Sequence, residues 1–283
     1  MSGFQFDMIH LASGADLGPD AVVCGTSGGN DSVALIQWCV EAGLKNVTAL
    51  YNDTGWAWLA HGSHEGWAER VDRFEAWVLS LGYKFARTSS KGMKALVRER
   101  GGWPRQGMQF CTDELKIEPT IAWLAANDPQ GLAICMNGKR RAESSERAKT
   151  PEWIEASPFH GGRRLHQPLF DHDDAARDAL VIRAGWEVLP HKSRECKCVN
   201  ANAQDLQGWP ESNIAEVESI EDEMGLTSNG KPITMFRPAK KMGATGIREV
   251  IRWAKAGRGK YRPLDDGQGP PSARSACGGG FCE

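Results

Sequence analysis

Ser27-Gly28-Gly29-Asn30-Asp31-Ser32 is the stretch that decides how this chain folds. It follows the apolar run Ala21-Val22-Val23-Cys24 and leads directly into Val33-Ala34-Leu35-Ile36. A buried strand, a tight glycine turn and the start of a helix are therefore written in succession. Two adjacent glycines allow positive φ and let a ligand approach the backbone closely. The first N–H groups of the following helix lack intrahelical partners, and its dipole places partial positive charge at the same end. Such a turn is an anion site, and the phosphates of a nucleotide are the anion it suits best.

Working outward, residues 47–51 and 131–136 read as further short buried strands, and residues 32–42, 66–81 and 113–126 as helices. In the second helix Trp67, Val71, Phe74, Trp77, Val78 and Leu81 recur at helical spacing and form its buried face. Strands alternating with helices imply an α/β fold, a doubly wound, mostly parallel sheet with ligands at the carboxyl ends of its strands. The regular pattern fades after residue 170. Residues 1–170 are expected to form the nucleotide-binding domain. Residues 171–283 read as a smaller helical, cysteine-bearing appendage, with helices near 214–224 and 247–256.

The 283 residues are 41% hydrophobic and 25% charged with a formal net charge of −2, which suits a globular enzyme and argues against indiscriminate nucleic-acid binding. No run reaches the length of a membrane span. The first twenty residues carry Asp7, Asp16 and Asp20 and no basic region followed by an apolar one, so a cytoplasmic protein with reduced thiols is expected. A local basic stretch (Lys240, Lys241, Arg248, Arg252, Lys255, Arg258, Lys260, Arg262) fits either a nucleic-acid backbone or a solvated helix face.

Eight cysteines in such a chain divide by context. Cys24, Cys39 and Cys135 sit in apolar strand or helix surroundings and read as packing residues. Cys196 and Cys198 lie in a polar loop, and Cys277 and Cys282 in a glycine-rich tail with no other way to order itself. A metal binding both pairs would supply that order. Four thiolates suit tetrahedral Zn²⁺ and equally a [4Fe–4S] cluster. His191 is a spare ligand candidate, whereas His61 and His64 read as a surface loop.

The Ser-Gly-Gly-x-Asp-Ser string resembles the PP-loop of the adenine-nucleotide α-hydrolase superfamily, in its ATP pyrophosphatase form. The resemblance implies that Ser27, Gly28, Gly29, Asn30, Asp31 and Ser32 bind the pyrophosphate of ATP, and that a substrate is activated by adenylation. Backbone donors and the hydroxyls of Ser27 and Ser32 would stabilise charge on the departing pyrophosphate. Asp31, a carboxylate beside phosphates, would need Mg²⁺ or backbone donors.

Three further segments extend the likeness. Asp53-Thr54-Gly55 is similar to the Asp-Thr-Gly of phosphoadenosine-phosphosulfate (PAPS) reductases. The stretch Cys111-Thr112-Asp113-Glu114-Leu115-Lys116-Ile117-Glu118-Pro119 resembles the Cys-Cys-x-x-Arg-Lys-x-x-Pro segment of adenosine-phosphosulfate (APS) reductases. Gly138 to Arg147 resembles the Gly-x-Arg-x-x-x-Ser stretch of both. By this resemblance Asp53, Thr54, Gly55, Gly138 and Arg147 would help hold the nucleotide. Lys116, Arg140 and Arg141, with Asp31, would act on its phosphate or sulfate. APS reductases bind a [4Fe–4S] cluster through such cysteines, so Cys111 joins Cys196, Cys198, Cys277 and Cys282 as five candidates for four positions. The segment with Cys196, Cys198, Asn200, Asn202 and Asp205-Leu206, and the terminal cysteine pair, resemble phage-encoded PAPS reductase-like proteins.

Two departures divide the functional expectation. Gly29 and Asp31 follow the ATP pyrophosphatases, and the Glu-Cys-Gly-x-His segment bearing the thiol of sulfonucleotide reductases is absent. One expectation is an ATP-using enzyme that releases pyrophosphate, adenylates a base, tRNA or DNA and passes sulfur to it with a [4Fe–4S] cluster. A second is a PAPS or APS reductase releasing sulfite with a thioredoxin-like partner. A third is a nucleotide-binding module with structural zinc.

Overall fold

The computed structural model describes residues 17, 18, 20–61, 65–105, 107–236 and 244–256. Its centre is β1 (Val22–Thr26), followed by α1 (Asn30–Glu41), β2 (Val47–Asp53), α2 (Trp67–Ser80), β3 (Lys84–Ser89) and α3 (Gly92–Arg100). A continuous helical passage comes next: α4 (Phe110–Thr112), a π-helical turn (Asp113–Ile117) and α5 (Glu118–Asn127). Then follow β4 (Ile134–Met136), β5 (Trp153–Ser157), β6 (Arg163–His166) and α6 (Asp174–Arg183), and finally α7 (Ala203–Gln207), α8 (Glu211–Met224) and α9 (Ile247–Lys255).

The strands form one sheet in the order β3-β2-β1-β4-β6-β5, parallel throughout except for β5, which runs antiparallel to β6. Alternation along β1 shows why both faces are covered: Val22 and Cys24 enter a core with α1, Phe74 and Val78 of α2 and Leu180 and Val181 of α6. Val23, between them, enters a core on the opposite face with Trp123 and Leu124 of α5. From β1 the chain builds outward to β2 and β3 on one side and to β4, β6 and β5 on the other. The crevice between the ends of β1 and β4 is thus the topological switch point, where open α/β sheets bind ligands.

The mostly parallel α/β sheet expected from the sequence is present, and its first two strands and helices lie within a few residues of their expected limits. Cys24, Cys39 and Cys135 are fully buried, as packing residues should be. The helix expected over residues 113–126 is present, and its first turn is π-helical. Pro119 has no N–H to give the carbonyl one turn earlier, and the helix widens there. Its result is that Leu115, Lys116 and Ile117 are all buried in succession.

A third core lies beyond the strand ends. Trp56, Leu96, Val97 and Leu115 pack there with Leu206 of α7, Val217 of α8 and Val250 of α9. The helical C-terminal segment is therefore bound to the loops that leave the sheet.

Candidate functional site

The turn after β1 is held in shape by its own hydroxyls. Ser27 N–H donates to Ser32 Oγ at 2.8 Å, the two serine hydroxyls lie 3.1 Å apart, and Gly29 N–H reaches Ser27 Oγ at 3.3 Å. Gly28 has φ of 81°, the left-handed conformation that glycine adopts at no steric cost. Helix α2 fastens the turn further: the Trp67 indole donates to the Ser27 carbonyl at 2.8 Å and Arg70 Nε to the Gly28 carbonyl at 2.8 Å. The Asn30 side chain donates to Leu189 O and accepts from Leu189 N, each at 3.0 Å, and so ties the strand-to-helix junction to the segment after α6.

Asp31 is not left to face phosphates as a bare carboxylate. Arg140 Nε, from the loop after β4, donates to Asp31 Oδ1 at 2.6 Å, and both side chains are buried. Arg140 also meets Asp174 at 3.0 Å, and Arg177 stands 3.8 Å from Asp31. The Asp31 carboxylate foremost holds the guanidinium charged against the cost of its burial. The two loops touch so closely that a Cβ on Gly138 would fall 2.9 Å from the Asp31 carbonyl oxygen. That close approach requires glycine at residue 138.

A second cluster joins the π-helical turn to the segment after α6. Lys116, on the π-helical turn, forms a buried ion pair with Glu195, whose carbonyl accepts from Thr54 Oγ1 at 3.3 Å. Cys111, Lys116, Cys196 and Cys198 line one pocket together with Thr54 and Gln109. The Cys196 thiol is pushed well above its ordinary range, by its hydrogen bond with Cys198 first and by burial second, while the Lys116 ammonium opposes the shift. Lys197, between the two cysteines, points the other way into the core. Its Nζ donates to Ala57 O at 2.6 Å and pairs with Glu216 at 2.8 Å. The Trp56 indole donates to Lys197 O at 2.9 Å, so the Cys-x-Cys loop is bolted to the chain leaving β2. Among the described residues no three His, Cys, Asp or Glu side chains are already assembled as a metal site.

Of the remaining expected residues, Asp53 Oδ1 accepts from Gly55 N–H at 2.8 Å and shapes a turn against α3, where Met93 N–H donates to Thr54 O at 3.0 Å. Arg141 is half-exposed, paired with Asp171 at 2.8 Å and laid over Phe170. Arg147 pairs with Glu143. Arg248 is tied to Glu211 and Glu218 of α8 at 2.7 and 2.6 Å, whereas Arg252 is exposed. Cys277, Cys282, Lys240, Lys241, Arg258, Lys260, Arg262 and His64 lie outside the described residues. Sequence reasoning missed Arg70, Arg177, Asp174 and Glu195. Each sits in an ordinary helix or loop context, and only the folded chain brings it to the site.

The family model of the phosphoadenosine phosphosulfate reductase domain matches residues 21–190. The chain belongs to this family. No curated protein sequence matches it. Among solved structures it is similar to an NH3-dependent NAD synthetase from Campylobacter jejuni, with a TM-score of 0.40 and 15% identity over 60% of this chain and 66% of that one. The chain thus spans just under two thirds of that synthetase. It is also similar to an NMN synthetase from Francisella tularensis, with a TM-score of 0.41 and 15% identity over 84% of this chain and 85% of that one. Family membership supports a nucleotide-binding or nucleotide-modifying enzyme. No helix among the described residues is long and apolar enough to cross a membrane.

Proposed function

We propose that the chain binds ATP in the Ser27–Ser32 turn, releases pyrophosphate and adenylates a substrate that then receives sulfur. The observation that carries this reading is the Asp31–Arg140 pair. A carboxylate inside a phosphate loop is neutralised by a buried arginine from the neighbouring strand end, so the ATP pyrophosphatase form of the loop can accept an anion. An acceptor oxygen of carbonyl or amide type attacks the α-phosphorus, the bond to the β-phosphate breaks, and pyrophosphate leaves. A sulfur nucleophile then adds at the activated carbon and AMP departs. The loop N–H groups and the Ser27 and Ser32 hydroxyls stabilise the charge that develops on pyrophosphate. In this reading Arg140, Lys116 and Arg141 act on the phosphates, Asp53, Thr54, Gly55, Gly138 and Arg147 help hold the nucleotide, and Mg²⁺ arrives with the triphosphate.

The donor chemistry of the second cluster suits a [4Fe–4S] centre: Cys111, Cys196 and Cys198 line one pocket with a buried lysine, and Cys277 and Cys282 remain the other candidate ligands. Three thiolate ligands would leave one iron open to act as a Lewis acid, whereas a fourth would close the centre and confine it to electron transfer or a structural role. Zinc on the same thiols would make the pocket a structural staple instead.

The family match supports a second reading, in which a thiolate takes the sulfo group from PAPS or APS, the nucleotide leaves, and a thioredoxin-like dithiol releases sulfite. Anaerobically purified full-length protein, given ATP and a tRNA or DNA acceptor or given PAPS, separates the two by its products. Pyrophosphate from ATP supports the first reading; sulfite from PAPS without pyrophosphate from ATP overturns it. Iron, sulfide and zinc analysis of the same sample decides the metal, and a colourless zinc protein without iron overturns the cluster.

A further inference from the structure

We infer that Arg70 is a positioning residue for the phosphate turn, one that fixes the Gly28 carbonyl and supplies the turn with positive charge not spent on any carboxylate. Three arginines are buried among the described residues: Arg70, Arg140 and Arg163. Arg140 meets Asp31 at 2.6 Å and Arg163 meets Asp128 at 2.5 Å. Arg70, 3% exposed in the first turn of α2, is the exception. Its Nε donates to Gly28 O at 2.8 Å, and its Nη2 is buried with no hydrogen-bond partner. No carboxylate of the described residues lies within ion-pair reach, and Glu65 and Glu187 act on it only over longer range. The positively charged Arg73 faces the same Trp186 ring at 5.3 Å and adds to the imbalance.

A buried cation without a counter-charge is costly. Part of that cost is offset here by two indoles, since the guanidinium lies 4.9 Å from the Trp186 ring centroid and 5.4 Å from that of Trp67. Trp67 also holds the Ser27 carbonyl, so the indole that cradles the cation and the cation itself grip consecutive residues of the turn. Such an arrangement becomes balanced when an anion enters the turn. The pyrophosphate portion of a nucleotide is that anion, and the low dielectric around Arg70 makes its charge felt more strongly than a surface arginine's.

The inference rests on the turn being the nucleotide site, and the test separates the two ideas. Inorganic pyrophosphate is titrated calorimetrically into the full chain, into Arg70→Gln, Arg70→Lys and Arg70→Ala. Wild-type protein binds; Arg70→Gln weakens binding by about tenfold or more, and Arg70→Lys, which keeps charge but not the fork, falls between. Adding N-ethylguanidinium restores affinity to Arg70→Ala, whereas N-ethylurea, of the same shape without the charge, does not. Restoration by both overturns the electrostatic role, as does a folded Arg70→Gln that binds like wild type. Wild-type protein that ignores both pyrophosphate and ATP overturns the nucleotide site itself and this inference with it. Should the variants fail to fold, the Arg70 Nε–H signal of ¹⁵N-labelled wild-type protein reads the same claim. It shifts on saturation with pyrophosphate, and an unmoved signal overturns the assignment.

Discussion

Asp31 and Arg140 carry more of the account than any other two residues. Each is charged, buried and dependent on the other, and they join the loop after β1 to the loop after β4. Breaking a buried pair from one side leaves the other charge uncompensated, at a cost of about 3–5 kcal/mol. Arg140→Met is accordingly expected to lower stability by that order in urea unfolding. Adding Asp31→Asn should recover most of the loss, and a double variant no more stable than the single one would contradict the pair. Asp31 was visible in the sequence as the awkward member of the turn. Its partner was visible too, as one arginine of a basic run, but nothing in the spacing said which of Arg140, Arg141 and Arg147 turns inward. That choice is made by the β4 end, which directs Arg140 into the crevice and leaves Arg141 to Asp171 and Arg147 to Glu143.

At the scale of elements, legibility follows burial. The runs at β1 and β2 are apolar because those strands are covered on both faces, and they are plain in the sequence. Strand β3, Lys84-Phe85-Ala86-Arg87-Thr88-Ser89, and the β5–β6 pair lie at or near the sheet edges, where polar residues are tolerated, and no apolar run announces them. The turn joining β5 to β6 holds His160, whose Nδ1 lies 2.8 Å from Ser157 Oγ. Burial first, and then the Arg163 charge, lower its pKa from 6.5 to about 4. Because the folded state resists the proton, the unfolded chain takes it up first as pH falls. The contribution to stability is constant above pH 6.5 and declines between there and about pH 4, by about 3 kcal/mol in full. Urea midpoints measured across that window should fall, and His160→Gln should flatten the part of the slope due to this group. An unchanged slope would remove His160 as its source.

Across the whole molecule, the thiol pocket is tied to the chain that leaves β2. The chain leaving β2 passes from Asp53 and Thr54, which lines the pocket, to Trp56, which is fully buried in the third core and holds the Cys-x-Cys loop through Lys197 O. Trp56→Ala is expected to cost about 3–5 kcal/mol in unfolding free energy and to make Cys196 and Cys198 more reactive to an alkylating agent under native conditions. Stability lost with unchanged thiol reactivity would contradict the coupling. This joining of β2, the π-helical turn and the C-terminal helices is a long-range property that local pattern does not encode. The cysteines suggested it only because they had no local reason to be where they are.

The central claim is that the Ser27–Ser32 turn takes ATP and holds its pyrophosphate portion. Equilibrium titration of the anaerobically prepared full chain with ATP and with PAPS, each followed by displacement with inorganic pyrophosphate, tests it most directly. The account predicts one ATP bound per chain and released by pyrophosphate. PAPS binding with no measurable ATP binding would contradict it.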